Sequence, residues 1–177
     1  MVLLVIDAQK ELAVDSLYMF DTFKENVKRL IKTAREFNVE VIFVRHDELK
    51  RGDSLAKGLE GFEIIDDFAP LPGERIFDKS VNSPFKDSEL LHYLKQKNED
   101  KLVITGLLTD YCIDAAVKCG FEHGFEIIVP EHANSTYDSK YMNKEQTYNY
   151  YNDHIWSGRY ARCLSIDDSV NAIILKR

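Results

Sequence analysis

Three side chains in this sequence, Asp7, Lys79 and Cys112, have the chemistry to form and break an acyl bond. Cys112 lies just past an apolar run, Lys101 to Thr105, and is the third helical residue if Thr109 is an N-cap. A helix N-terminus offers free N–H groups and a partial positive charge, which favour thiolate over thiol. A lysine ammonium nearby lowers a thiol pKa further. A carboxylate such as Asp7 can carry the thiol proton to a leaving amine. The same N–H groups can hold an oxyanion. Each residue also has a plainer reading. Free cysteines are usually buried as small apolar residues, an acid at a strand end often caps a turn, and lysines are mostly solvated. Two phosphatase patterns fit poorly. An aspartyl nucleophile wants a second Asp two residues on, where Gln9 stands. A cysteine nucleophile wants Arg six residues on, where Lys118 stands.

The elements that would position these residues alternate between strand and helix. Val2 to Ile6 is apolar on both faces, as a central parallel strand requires. Phe23, Val27, Leu30, Ile31, Ala34 and Phe37 recur at helical spacing, with Asp21 as N-cap and Asn38 as stop. Val39 to Val44 is a second strand. Arg45 to Glu74, rich in Gly and Pro, is a long excursion of the kind that often forms a binding loop. Arg75 to Phe77 is a short strand delivering Lys79 near its end, and a helix spans roughly Lys86 to Lys97. After the Lys101–Thr105 strand, a helix opens at Thr109 and ends at Gly124. Phe125 to Val129 is a strand, Glu131 to Tyr141 a polar loop, Asn143 to Tyr160 a tyrosine-rich helix, and Ala172 to Leu175 a last strand. This pattern predicts one α/β domain over residues 1–177: a twisted, mainly parallel sheet with helices on both faces, Rossmann-like in layout. In open α/β sheets the site lies beyond the carboxyl ends of the strands. Asp7, Lys79 and Cys112 all fall on that rim.

A net charge of −7 over 177 residues leaves no basic footprint for nucleic acid or an anionic membrane. No apolar run is long enough to span a bilayer, and Val2–Ile6 has neither the basic flank nor the cleavage site of a signal peptide. A cytoplasmic location and a small-molecule substrate are therefore expected. Cys112, Cys119 and Cys163 make an odd count without CxxC spacing, which suits reduced thiols. Cys119, two helical turns after Cys112, is expected in the core.

Three blocks resemble the isochorismatase-like cysteine hydrolases, the family of nicotinamidases and N-carbamoylsarcosine amidases. They are Leu4-Val-Ile-Asp-Ala-Gln9, Phe77-Asp-Lys-Ser-Val-Asn-Ser-Pro-Phe85 and Ile104-Thr-Gly-Leu-Leu-Thr-Asp-Tyr-Cys-Ile-Asp-Ala-Ala116. The order Asp, Lys, Cys and the spacing between blocks agree. The resemblance runs to at least Pro130, and Asp138 to Ser165 is similar to the family's small bacterial branch. It implies Cys112 as nucleophile, Asp7 as proton shuttle, and Lys79 holding both in place. It implies a cis peptide between Leu107 and Leu108, and an oxyanion hole from the amides of Leu108 and Cys112. It also implies a homo-oligomer, dimer or tetramer. Gln9, Leu12, His46 and Tyr111, in or beside the strand ends and blocks, are candidate pocket residues.

Departures bear on substrate. Nicotinamidases of the family carry a metal site of one Asp and two His after the second strand. Here that stretch reads Val44-Arg-His-Asp-Glu-Leu49, with His46 and Asp47 but no second His in reach. No metal and no cofactor is expected. Leu12 stands where the family commonly has Phe. Isochorismatases proper cleave a vinyl ether by protonation, for which the resemblance implies that a thiol is inessential. Keeping Cys112 points to amide, ureido or ester chemistry. Two rivals remain at this level: a ligand-binding or regulatory module on the same fold, and a redox role for Cys112, which usually needs a resolving thiol. His154, Trp156 and the surrounding tyrosines suit an oligomer contact better than a pocket.

Overall fold

The computed structural model describes residues 1–50, 52–86 and 89–176. In chain order the elements are β1 (Val2–Ile6), α1 (Phe20–Glu36), β2 (Glu40–His46), β3 (Arg75–Lys79), α2 (Glu89–Gln96) and β4 (Lys101–Leu107). Then come α3 (Asp114–Glu122), β5 (Glu126–Pro130), β6 (Asn134–Ser135), α4 (Lys144–Asn149), β7 (Arg162–Leu164) and α5 (Ile166–Leu175). Two segments wind more widely than an α-helix, Thr109–Ile113 and Tyr150–Trp156.

The strands pair in the order β3-β2-β1-β4-β5-β7, and every ladder is parallel. Each position of β1 is buried, so the strand needs cover on both faces. Leu3 and Val5 pack with Phe23, Val27, Leu30 and Ile31 of α1 and with Ile173 of α5. Val2, Leu4 and Ile6 pack with Leu90 and Leu94 of α2, Ala116 and Val117 of α3, and Trp156. The two cores are opposite faces of one sheet, which makes a single α/β domain. Strand order reverses between β1 and β4, and that is where such sheets open a crevice. Among the described residues no helix is long and apolar enough to cross a membrane.

Several expected elements differ from those formed. Ala172–Leu175 is not a strand but the last turns of α5. A four-residue apolar run cannot separate strand from buried helix, and the deciding signal lies upstream. Ser165 caps the helix by accepting the Asp168 N–H at 3.1 Å, with Asp167 and Asp168 in the first turn. In α1, Asp21 is not the N-cap. The helix opens two residues earlier, behind Met19 as N-cap, and Asp21 pairs with Lys24 at 3.1 Å. Phe37 lies past the helix end and is 40% exposed, whereas Asn38 takes the left-handed conformation that stops it, φ 54°. The Lys86–Lys97 helix forms as α2, while Asp87 and Ser88 lie outside the described residues. The expected Asn143–Tyr160 helix divides into α4 and the wide Tyr150–Trp156 segment.

The stretch read as a polar loop, Glu131–Tyr141, is buried from Ala133 to Thr136 and contains β6. β5 pairs with β4 only through Val103. Beyond it the chain returns, and Asn134 and Ser135 take up the pairing with Gly106 and Leu107. Thus β4 runs two residues past its expected end, through Gly106. That glycine holds φ 126°, and a Cβ there would meet the Ile6 carbonyl oxygen at 1.9 Å. Only glycine permits β1 and β4 to approach so closely below the crevice. Gly106→Ala should cost about 3 kcal/mol or more of stability, read as a shift in the denaturant midpoint. A loss under about 0.5 kcal/mol would mean the two strands can part without consequence.

Candidate active site

Asp7 leaves β1 in a left-handed turn, φ 52°, while its N–H still donates to the Val44 carbonyl at 2.8 Å. Its side chain is thereby lifted over the strand ends, fully buried. Lys79 is the last residue of β3 and pairs in register with His46, the last residue of β2. Cys112 sits in the Thr109–Ile113 turn after β4 and is 8% exposed. The peptide between Leu107 and Leu108, just before that turn, is cis.

These three strand ends converge on one ammonium. Lys79 Nζ lies 2.7 Å from Asp7 Oδ2, 3.0 Å from His46 Nδ1 and 3.2 Å from Cys112 Sγ. An ammonium has three hydrogens and no lone pair, so all three contacts are donations. His46 Nδ1 must therefore be an acceptor. The ring proton then belongs on Nε2, where it can donate to Glu48 Oε1 at 3.2 Å. Asn82 Oδ1 stands 3.8 Å from Cys112 Sγ. Asp7 Oδ1 is buried with no hydrogen-bond partner.

The electrostatics correct one expectation. A helix N-terminus and a lysine were expected to favour a Cys112 thiolate. Instead burial, and after it the Asp7 charge, push the thiol up to about 12, and Lys79 offsets only part of this. Thr109 is also no N-cap, because the turn is wide and its hydroxyl donates to Asn134 Oδ1 at 2.8 Å. Burial likewise raises Asp7, against the pull of Lys79, and a raised carboxylate is a stronger base than an ordinary one. The arrangement is a thiol beside a buried carboxylate with one cation bridging them, groups able to act as nucleophile and base.

The candidate pocket residues separate on their contacts. Gln9 faces no open space. Its Nε2 donates to the carbonyls of His46 and Phe62, each at 2.9 Å, and its Oε1 accepts the His46 N–H at 2.8 Å. It is a clamp tying β2 to the 60–62 turn, not a pocket residue, because its hydrogen-bonding groups are spent on backbone. Leu12 packs against the α1 core, and its carbonyl accepts from the Tyr137 hydroxyl. Tyr111 is 57% exposed beside Cys112. Trp156 is neither pocket nor oligomer contact. It is wholly buried and donates through Nε1 to Asp114 Oδ1 at 2.9 Å. Cys119 and Cys163 are free and half-buried, Cys119 against the α3 core.

The turn carrying Cys112 rests on a polar network that sequence reasoning missed. Asn134 receives the Thr109 hydroxyl and donates to Asn152 Oδ1 at 3.0 Å. Thr136 donates to Asp110 Oδ1 at 2.5 Å. The available signal was a run of Asn, Ser and Thr at 134–136 following an apolar strand, which reads equally well as loop. Asn82 lay within the lysine block but carried no signal of its own.

A metal site of the Asp-His-His type is not assembled. Asp47 Oδ1 instead accepts the backbone N–H groups of Leu49, at 2.9 Å, and Lys57, at 3.4 Å. His46 faces Lys79, and no second histidine joins it among the described residues.

Known proteins share this fold and sequence pattern. An isochorismatase domain model matches residues 1–152. A secreted isochorismatase effector of Verticillium dahliae is 28% identical over 134 residues, 75% of this chain and 70% of that protein. A ureidoacrylate amidohydrolase of Cronobacter sakazakii is 26% identical over 156 residues, 67% of each chain. A crystal structure from Chromobacterium violaceum, described within the same family, superposes with a TM-score of 0.89 at 22% identity. It covers 97% of this chain and 92% of that one, a likeness of fold.

The raised thiol has a measurable consequence. In a Cys119→Ser, Cys163→Ser background, iodoacetamide should label Cys112 slowly at neutral pH, and faster as pH climbs toward 12. Asp7→Asn removes a charge that raises the thiol and leaves Lys79, which lowers it. Labelling at pH 7 should then rise roughly tenfold or more, since each pKa unit lost is tenfold more thiolate. Slower labelling in Asp7→Asn, followed by mass spectrometry, would show that Asp7 does not oppose the thiolate.

Proposed function

The chain belongs to the isochorismatase family, and from that we propose that it hydrolyses a small amide, carbamoyl or related C–N substrate through an acyl-cysteine intermediate. One observation carries the proposal: a single buried ammonium bridges the carboxylate and the thiol. Cys112 Sγ attacks the carbonyl carbon, and the thiol proton passes to Asp7. The negative charge gathering on the carbonyl oxygen is held by the backbone N–H groups of Leu108 and Cys112. Asp7 returns the proton to the leaving nitrogen as the C–N bond breaks. Water then adds to the thioester with Asp7 as base. The tetrahedral adduct collapses, the acid leaves, and Cys112 regains its proton.

Lys79 keeps Asp7 Oδ2 and Sγ on a common cation throughout. Proton transfer between them therefore needs no change in the number of buried charges. His46 takes the third ammonium hydrogen and so fixes the direction of the other two. The amide reading over vinyl-ether cleavage is supported by the thiol beside its base and by the likeness to the ureidoacrylate amidohydrolase.

A panel of primary amides, carbamoyl amines and ureido acids, assayed for ammonia release, tests this. At least one should turn over. Cys112→Ala should lower kcat/KM by roughly 10⁴-fold or more, with KM little changed for a substrate the protein already binds. Trapping the acyl group on Cys112 by acid quench and mass spectrometry would identify the intermediate. Turnover that survives Cys112→Ala would sink the proposal.

A further inference from the structure

Asp7, His46 and Cys112 place a carboxylate oxygen, an imidazole nitrogen and a sulfur within 4.8 Å of one another. Oxygen, nitrogen and sulfur donors converging on one point are the ligand set of zinc and its soft divalent relatives. Lys79 Nζ already holds a cation at that point, at 2.7 to 3.2 Å from the three atoms. Zinc bond lengths put the donors of a tetrahedral site roughly 3.3–3.8 Å apart. The cluster would have to contract by about 1 Å, a side-chain adjustment.

Three further features favour a divalent occupant. Asp7 Oδ1 is buried and unpartnered, so the carboxylate has acceptor capacity that the ammonium leaves unused. The Nδ1 of His46 faces the cluster as a lone pair, the form in which imidazole binds metal. Its opposite nitrogen is oriented by Glu48, as ligating histidines commonly are by a carboxylate. Charge also closes. A carboxylate, a thiolate and a neutral imidazole around a dication sum to zero, so no uncompensated charge is buried. The displaced ammonium has somewhere to go. A cavity of about 700 Å³ borders Lys79 and is lined also by the acidic residues Asp47, Asp78 and Glu89.

We infer that this cluster is a reversible binding site for a soft divalent cation such as Zn²⁺, which enters by displacing the Lys79 ammonium and holds Cys112 as its thiolate. The step is Cys112–SH plus Zn²⁺ giving Cys112–S–Zn plus one proton to solvent, with no change of oxidation state. Water fills the fourth position. Zinc draws electron density from the sulfur and takes Asp7, its base, as a second ligand, so the bound ion weakens the nucleophile and withdraws its proton acceptor. Mg²⁺ and Ca²⁺, which take oxygen ligands, do not substitute.

The test uses the full chain with Cys119→Ser and Cys163→Ser, and requires no substrate. Zn²⁺ is titrated by calorimetry, and Co²⁺ by absorbance for a thiolate-to-cobalt charge-transfer band. The expected result is one ion per chain, the band present, and one proton released per ion. His46→Ala should weaken Zn²⁺ binding by roughly 10–100-fold or more. Lys79→Met, by removing the competing cation, should tighten it. Should that variant fail to fold, as circular dichroism would reveal, the His46→Ala comparison decides alone. Absence of the charge-transfer band, or an affinity that His46→Ala leaves unchanged, overturns the inference. Neither outcome touches the hydrolase reading, which stands or falls on turnover and the acyl-cysteine.

Discussion

A buried ammonium is costly, and everything around Lys79 is arranged to meet that cost. Its side chain is 3% exposed and its carboxylate partner is fully buried. Removing either partner from such a pair typically costs about 3–5 kcal/mol, because the other is left as an uncompensated charge. The ammonium must therefore find three acceptors, and they come from three different parts of the chain. β1 delivers Asp7, β2 delivers His46, and the turn after β4 delivers Cys112. Lys79 itself ends β3. The ion pair is thus a tie across four strands, and any shift in sheet register would leave at least one hydrogen without an acceptor.

That demand explains features of the fold that would otherwise look unrelated. Asp7 adopts a left-handed turn to rise above the sheet. Gly106 has no side chain, so β1 and β4 can lie close together beneath Asp7 and Cys112. β6 replaces β5 beside β4 just where the turn carrying Cys112 begins, and its Asn134 receives the Thr109 hydroxyl of that turn. Gln9 uses its amide to fix the end of β2, which sets the position of His46. Each device satisfies a backbone or polar group locally, and each also fixes one acceptor of the ammonium.

How much of this could be read from the chain alone follows from the range of the interactions. Val2–Ile6, the α1 face and the Lys101 strand were legible because burial on two faces or one stripe leaves a local pattern. The rim rule placed Asp7, Lys79 and Cys112 together with no knowledge of distances. β6 and β7 were not legible. They have two and three residues, and they exist because β4 and β5 offer them partners, not because of their own composition. The apolar end of α5, Ala172–Leu175, reads on its own as strand, because the signal that makes it helix is the cap at Ser165, outside that run. Gln9 was misassigned for a related reason. Its type and place suit a pocket, and only the backbone groups that surround it decide otherwise. His46 was seen, but its bond to Lys79 joins residues 33 apart on neighbouring strands, and no spacing rule predicts it.

The thiol is where local and global reasoning part most sharply. A helix N-terminus and a nearby cation argue for a thiolate, and both are short-range arguments. Burial and the Asp7 charge act on the same sulfur and win, because desolvation penalises the anion more than one shared ammonium repays. A nucleophile held as thiol need not be a poor one when its base lies beside it. In the proposed reaction the proton moves only as the new bond to carbon forms, so the site would never bear two buried anions against one cation. The cation that stabilises the pair is also what the proposed dication would have to displace. Under the two proposals, one geometry would govern both how the sulfur is activated and how it is silenced.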